Sequence, residues 1–168
     1  MSPRNLTYYS LFFGFYLLIQ IFFVRQLVLF NYAFCFVYIA SILLLPFEIS
    51  KITLLFLGFF AGIFVDVFYN TMGMHAASMT LIAFLRPSII KLLTPQRGYD
   101  ERMILTLKSM GASWFVSYVG ILTFIHHLLL FFLEASDFGL FLPTMIKVLA
   151  STIFTGLVIL VLQLFRKE

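Results

Sequence analysis

Ile52-Thr-Leu-Leu-Phe-Leu-Gly58-Phe-Phe-Ala-Gly62-Ile-Phe-Val-Asp66-Val-Phe-Tyr69 is an apolar stretch long enough to cross a bilayer, and it carries two glycines and one carboxylate. A charge inside a spanning helix costs roughly 2.5 to 3.5 kcal/mol on insertion scales, so such a group faces a partner, a water-filled cavity or the interface. At about 100° per residue, Gly58, Gly62, Asp66 and Tyr69 share one helix face, while Phe56, Phe59, Phe60, Ile63, Phe64 and Val67 share the opposite one. The first face is small and polar, and the second resembles lipid. Helices in membranes associate by close approach of small residues and by hydrogen bonds, so Gly58-x-x-x-Gly62 reads as a packing or partner surface.

The rest of the chain has the same character. Of its 168 residues 62% are hydrophobic and 11% charged, far too apolar for a soluble domain, which carries about a quarter charged residues. Apolar runs predict an all-α integral membrane protein of about six helices, near 6–24, 28–47, 52–69, 75–93, 111–132 and 145–165, in a single domain spanning 1–168. Pro46, Asn70-Thr-Met-Gly73, Thr94-Pro95-Gln-Arg-Gly98, and Ser136-Asp-Phe-Gly139 with Pro143 supply the punctuation between runs. The run from Leu6 to Val24 is longer than a signal-peptide core, and no small-residue cleavage site follows it, so it reads as a retained first helix.

The net charge of +4 reports topology rather than nucleic-acid binding, because the basic residues sit between apolar runs and form no stripe. With the N-terminus cytoplasmic, Arg4, Lys51, Arg86, Lys91, Arg97, Arg102, Lys108, Arg166 and Lys167 fall in or near cytoplasmic segments, and only Arg25 and Lys147 fall outside. That distribution predicts both termini inside and an even number of crossings. The basic loop from Lys91 to Lys108 reads either as plain topology with attraction to anionic headgroups or as a docking surface.

The polar residues within the runs leave alternatives open. Asp66 stands one turn from the helix end, where it could snorkel, accept a structural hydrogen bond or meet another chain. His75 opens the next helix within reach of Asp66 across a short turn. Polar stripes on the fifth helix (Ser113, Ser117, Gly120, Thr123, His127) and the sixth (Ser151, Thr152, Thr155, Gly156, Gln163) suggest that these two pack with the third helix, as interhelical glue or around a ligand cavity. Adjacent His126 and His127 point about 100° apart, so they read as interfacial or packing residues and not as a chelating pair. Cys35, the only cysteine, excludes an internal disulfide and reads as a buried thiol. No nucleophile elbow, zinc-protease motif, phosphate loop or pair of embedded carboxylates is present, so the expectation is no enzyme, no catalytic residue, no cofactor and no metal.

From Pro46 to Pro87 the chain resembles the MreD family of bacterial rod shape-determining membrane proteins, through Gly58-Phe-x-x-Gly62-x-x-x-Asp66, a short turn, Gly73-Met-His75-Ala76 and the apolar run to Ala83-Phe-Leu85. The resemblance implies a six-helix fold similar to the substrate-binding S components of vitamin transporters, in the bacterial plasma membrane. It also implies a non-enzymatic scaffold of the cell-elongation machinery. The implied partners are an MreC-type bitopic membrane protein and, directly or indirectly, the actin-like MreB and the wall synthase RodA with its penicillin-binding partner. Gly58, Gly62, Asp66, Tyr69, Gly73 and His75 are then the helix-packing or partner face. The competing expectation is a small-molecule-binding component of a transporter, which the polar stripes would suit.

Overall fold

The computed structural model describes residues 3–96, 98–99 and 104–166. Arg97, Arg102 and Lys167, counted above among the cytoplasmic cations, lie outside the described residues. The chain is a membrane-embedded, mainly helical protein. Four of its helical stretches are long and apolar enough to cross a membrane: Thr7–Val24, Lys51–Tyr69, Ala112–Ala135 and Phe141–Leu164.

Helix α1 (Pro3–Ile19) runs on through a single π turn, Gln20–Val24. Helices α3 (Lys51–Tyr69) and α4 (Met74–Leu92) form an antiparallel pair, and α6 (Ala112–Ala135) and α7 (Phe141–Leu164) form a second. Helix α4 lies between α3 and α6. It is as long as α3 but less apolar along its length, because it is flanked by helices and its buried residues include Ser78, His75 and Arg86. The expectation that the third helix packs directly on the last two is therefore corrected: the main neighbour of α3 is α4, and α6 packs on α4 and α7.

The predicted helix at 28–47 does not form. In its place are a small antiparallel hairpin, β1 (Val28–Leu29) with β2 (Ala33–Phe34), then extended chain, one 3-10 turn (Val37–Ile39) and one short helix, α2 (Ala40–Leu43). Phe30 and Asn31 turn the hairpin with positive φ of 52° and 61°. An apolar run with no polar face has no period that separates a helix from buried extended chain. Every residue from Val37 to Leu43 has 0% exposure, so this segment is the centre of the molecule, surrounded by helices. It still travels from one end of the bundle to the other. Phe34 lies under Lys147, whereas Leu45 and Phe47 lie beside Arg86 and Tyr99. This is an unwound crossing of the bundle, and the described termini meet at one end, where Arg166 donates to Tyr8 Oη at 3.1 Å.

Smaller differences have local causes. Pro143 does not precede α7 but lies within its first turn, where no intrahelical N–H bond is required of it. Helix α6 continues one turn past 132 and stops at Ser136, whose φ is 49°. A four-residue helix, α5 (Leu107–Met110), begins at Thr106, whose side chain accepts from Ser109 N–H, within the segment read as a loop. Outward, α3 presents Phe56, Phe59, Phe60, Ile63, Phe64 and Val67, and α7 presents Ile153, Leu157 and Val161, all exposed as lipid-facing surface would be.

Candidate functional site

Three connected features make up the site: the α3–α4 seam, the braces around the unwound crossing, and a cavity at the hairpin end. The seam is built from the residues that the sequence singled out. A Cβ at Gly58 would stand 2.9 Å from Ala83 Cβ and 3.0 Å from Met79 O, and one at Gly62 would stand 2.3 Å from Ala76 Cα. The backbones of α3 and α4 touch there. Four residues on, Asp66 turns its carboxylate onto the start of α4: Oδ1 accepts from His75 N–H at 3.0 Å and Thr71 Oγ1–H at 2.5 Å, and Oδ2 accepts from Ala76 N–H at 2.9 Å. A carboxylate is favoured at that position because the first N–H groups of a helix lack intrahelical partners and carry its positive end. Gly73, with φ of 82°, makes the turn that brings α4 back. Asp66 is 4% exposed, so it neither snorkels nor faces another chain, and it bonds the backbone of His75, not its ring.

Replacing Asp66 separates hydrogen bonding from apolarity. Asp66→Asn retains an acceptor for Thr71 and His75 but turns an NH2 toward Ala76 N–H, and should cost about 1 to 2 kcal/mol. Asp66→Leu leaves three donors unmet and should cost about 2 to 3 kcal/mol. Thermal unfolding of the purified variants in detergent checks the order; equal midpoints for the two would remove the capping role.

The unwound crossing needs partners for its backbone, because an unmet polar group in the membrane interior costs several kcal/mol. They come from side chains far away in sequence. On α7, Ser151 Oγ accepts from Phe34 N–H at 2.9 Å and Thr155 Oγ1 from Phe36 N–H at 3.0 Å, while the two hydroxyls donate to the carbonyls of Tyr32 and Phe34. From the π turn, Gln20 donates to Cys35 O at 3.0 Å and to Tyr69 Oη at 2.7 Å, and its carbonyl accepts from Tyr38 N–H at 3.2 Å. At the other end Tyr118 donates to Leu43 O at 2.9 Å, and Arg86 donates to Leu45 O, to Pro46 O at 3.4 Å and to Tyr118 Oη at 3.0 Å. Arg86 is 1% exposed. It is therefore a core brace and not one of the loop cations with which its charge had grouped it.

The histidines gather in the same interior. His126 and His127 are fully buried, so the interfacial alternative for them is excluded. Tyr38 Oη lies 2.9 Å from His75 Nδ1 and 2.7 Å from His126 Nε2, while His126 Nδ1 has no partner among the described residues. A neutral imidazole has one donor and one acceptor nitrogen. A proton on His126 Nδ1 would be a buried donor without an acceptor, so the proton belongs on Nε2. That choice fixes the direction of the chain: His126 donates to Tyr38, Tyr38 donates to His75 Nδ1, and His75 carries its own N–H on Nε2. His127 Nδ1 lies 2.7 Å from Thr123 O.

His75 also lines a cavity of about 530 Å³ at the hairpin end, together with Arg25, Phe36, Tyr69, Phe131 and Lys147. Tyr69 is half-buried there, with Arg25 over its ring at 5.3 Å. Among the described residues no group of three or more His, Cys, Asp or Glu side chains is placed to hold a metal ion. Of the polar stripes, Thr123, His127, Ser151, Thr155 and Gln163 are buried, whereas Ser113 and Ser117 are exposed. Sequence reasoning missed Gln20, Tyr38, Arg86 and Tyr118 as site residues; Gln20 and Arg86 could have been noticed as polar interruptions of apolar runs. Comparison with protein-family models, with curated proteins and with solved structures finds no match to this chain.

Proposed function

We propose that this protein is a non-enzymatic scaffold of the bacterial cell-elongation machinery, which binds an MreC-type bitopic protein and links MreB to RodA and its penicillin-binding partner at the plasma membrane. The observation that carries the reading is the interlock of Gly58, Gly62, Asp66 and Gly73. These residues, on which the resemblance to the MreD family rests, act as one unit, a helix pair closed by backbone contact and tied by a carboxylate cap. A partner's single helix then docks on the apolar outer faces, since the glycine face is occupied by α4.

In this reading the end that joins the described termini is cytoplasmic. Lys51, Lys91, Lys108 and Arg166 gather at that end, and Arg25 and Lys147 at the other. Because the single native cysteine, Cys35, is buried, an Asp137→Cys variant should be labelled by a membrane-impermeant maleimide from outside intact cells, with the parent unlabelled.

Depletion should turn rod-shaped cells round or wide while the purified wall synthases keep their chemical activity, and a single-helix partner should co-purify in mild detergent. Cells that keep normal width but lack a vitamin or an ion would replace this reading with that of a transporter component. The cavity beside His75 is what favours that second reading.

A further inference from the structure

We infer that the cavity at the hairpin end is a binding site for a small monoanion with a flat apolar body. Its volume of about 530 Å³ falls within the range of roughly 300 to 1,000 Å³ that small-ligand sites occupy. The walls are aromatic: Phe36 lies 6.0 Å from Tyr69 and 6.1 Å from Phe131 between ring centroids, an apolar lining suited to a planar group.

The polar groups select the charge. Lys147 is held by Glu134 at 2.6 Å and lies over Phe34 and Phe131, so its charge is already matched. Arg25 has no carboxylate partner among the described residues, and its guanidinium stands over Tyr69 at the cavity wall. Among the side chains that line the cavity, Arg25, Lys147 and Glu134 therefore sum to one positive charge, which a monoanion neutralises, while the Asp66 carboxylate behind Thr71 and His75 is taken up by its own three donors. At the buried side, the hydrogen-bond chain from His126 through Tyr38 leaves His75 Nε2–H as a donor with no acceptor among the described residues, on a residue that is 2% exposed and lines the cavity. The start of α4 does not compete for the anion, because Asp66 already takes its N–H groups. A guanidinium at the mouth and an imidazole N–H below it are the donors that a carboxylate or a phosphate ester accepts from.

The inference does not depend on the scaffold reading, which is tested in cells. Here the full chain is placed in phosphatidylcholine nanodiscs and titrated calorimetrically with 2-naphthoate and with the neutral 2-naphthalenemethanol, after subtraction of empty discs. The naphthoate should bind one per chain and about tenfold more tightly than the alcohol. Arg25→Gln, at an exposed position, should remove that difference and leave alcohol binding unchanged. Met74→Trp, which fills the cavity from its lining, should remove both. Repeating the titration in phosphatidylglycerol discs identifies the natural source: weakened naphthoate binding means that a lipid headgroup occupies the site, and unchanged binding means a free anion, each consistent with the site. Absence of saturable naphthoate binding, or equal affinity for acid and alcohol, would overturn the inference. So would an Arg25→Gln protein that elutes like the parent and binds naphthoate equally well.

Discussion

Gly62→Leu should abolish the folded protein, and Gly62→Ala should already lower its stability by about 2 to 3 kcal/mol. The added methyl would sit 2.3 Å from Ala76 Cα, 2.5 Å from Ala76 N and 2.6 Å from His75 O, all backbone atoms of α4 that no rotamer change can withdraw. The helices would have to separate, and Asp66 would lose its grip on the N–H groups of the same two residues. Gly120→Ala is the internal control. Gly120 lies in α6 where, among the described residues, no atom beyond its own stretch of helix comes within 4 Å of the added carbon, so that change should stay within about 0.5 kcal/mol. Phe60→Leu, on the exposed face of α3, should be similarly mild. Membrane level and thermal midpoint of the purified variants give the measurement. A Gly62→Ala protein that melts with the parent would mean that α3 and α4 do not approach as described.

Why the α3–α4 pair was legible in the sequence while the crossing before it was not follows from where each finds its partners. Gly58, Gly62 and Asp66 meet residues no more than 25 positions away, through a four-residue turn, and their 100° periodicity puts them on one face opposite a wholly apolar one rich in phenylalanine. The segment from Val28 to Leu45 offers no such face. Its backbone is satisfied by Ser151 and Thr155, more than 115 residues ahead, by Gln20 from the preceding helix, and by Arg86 and Tyr118 from two others. Each of those side chains looks unremarkable alone, and only the fold collects them. Helix propensity could not decide the matter either, since Phe34-Cys-Phe-Val-Tyr-Ile39 is rich in aromatic and β-branched residues that suit extended chain as well as an apolar helix. The same cause hid the roles of the histidines. His75, Tyr38 and His126 come from three separate elements and meet only because the unwound segment brings Tyr38 between the other two.

Arg86→Met should lower stability by about 3 kcal/mol or more, although it removes a buried charge. Two effects oppose each other here. Burying a guanidinium is costly, so an apolar replacement of similar length recovers desolvation energy, and in soluble proteins that recovery can win. What decides the sign is the set of acceptors left behind. Leu43 ends the short buried helix α2 and Leu45 and Pro46 follow it, so their carbonyls have no helical partner of their own. Arg86 supplies Leu45 and Pro46 and also donates to the Tyr118 hydroxyl that serves Leu43. Methionine serves none of them, and the carbonyl of Leu45, a residue 2% exposed, would be left without its donor. Lysine keeps the charge but has a single nitrogen for acceptors that Arg86 reaches with two, so Arg86→Lys should fall between the parent and Arg86→Met. Tyr118→Phe should cost about 1 kcal/mol alone and less than that when added to Arg86→Met, because the two side chains act as one brace. Thermal unfolding of the four variants and the parent in one detergent tests the series. A methionine variant as stable as the parent would show that desolvation outweighs the carbonyls and that the unwound crossing is held without Arg86, by the Gln20, Ser151, Thr155 and Tyr118 braces.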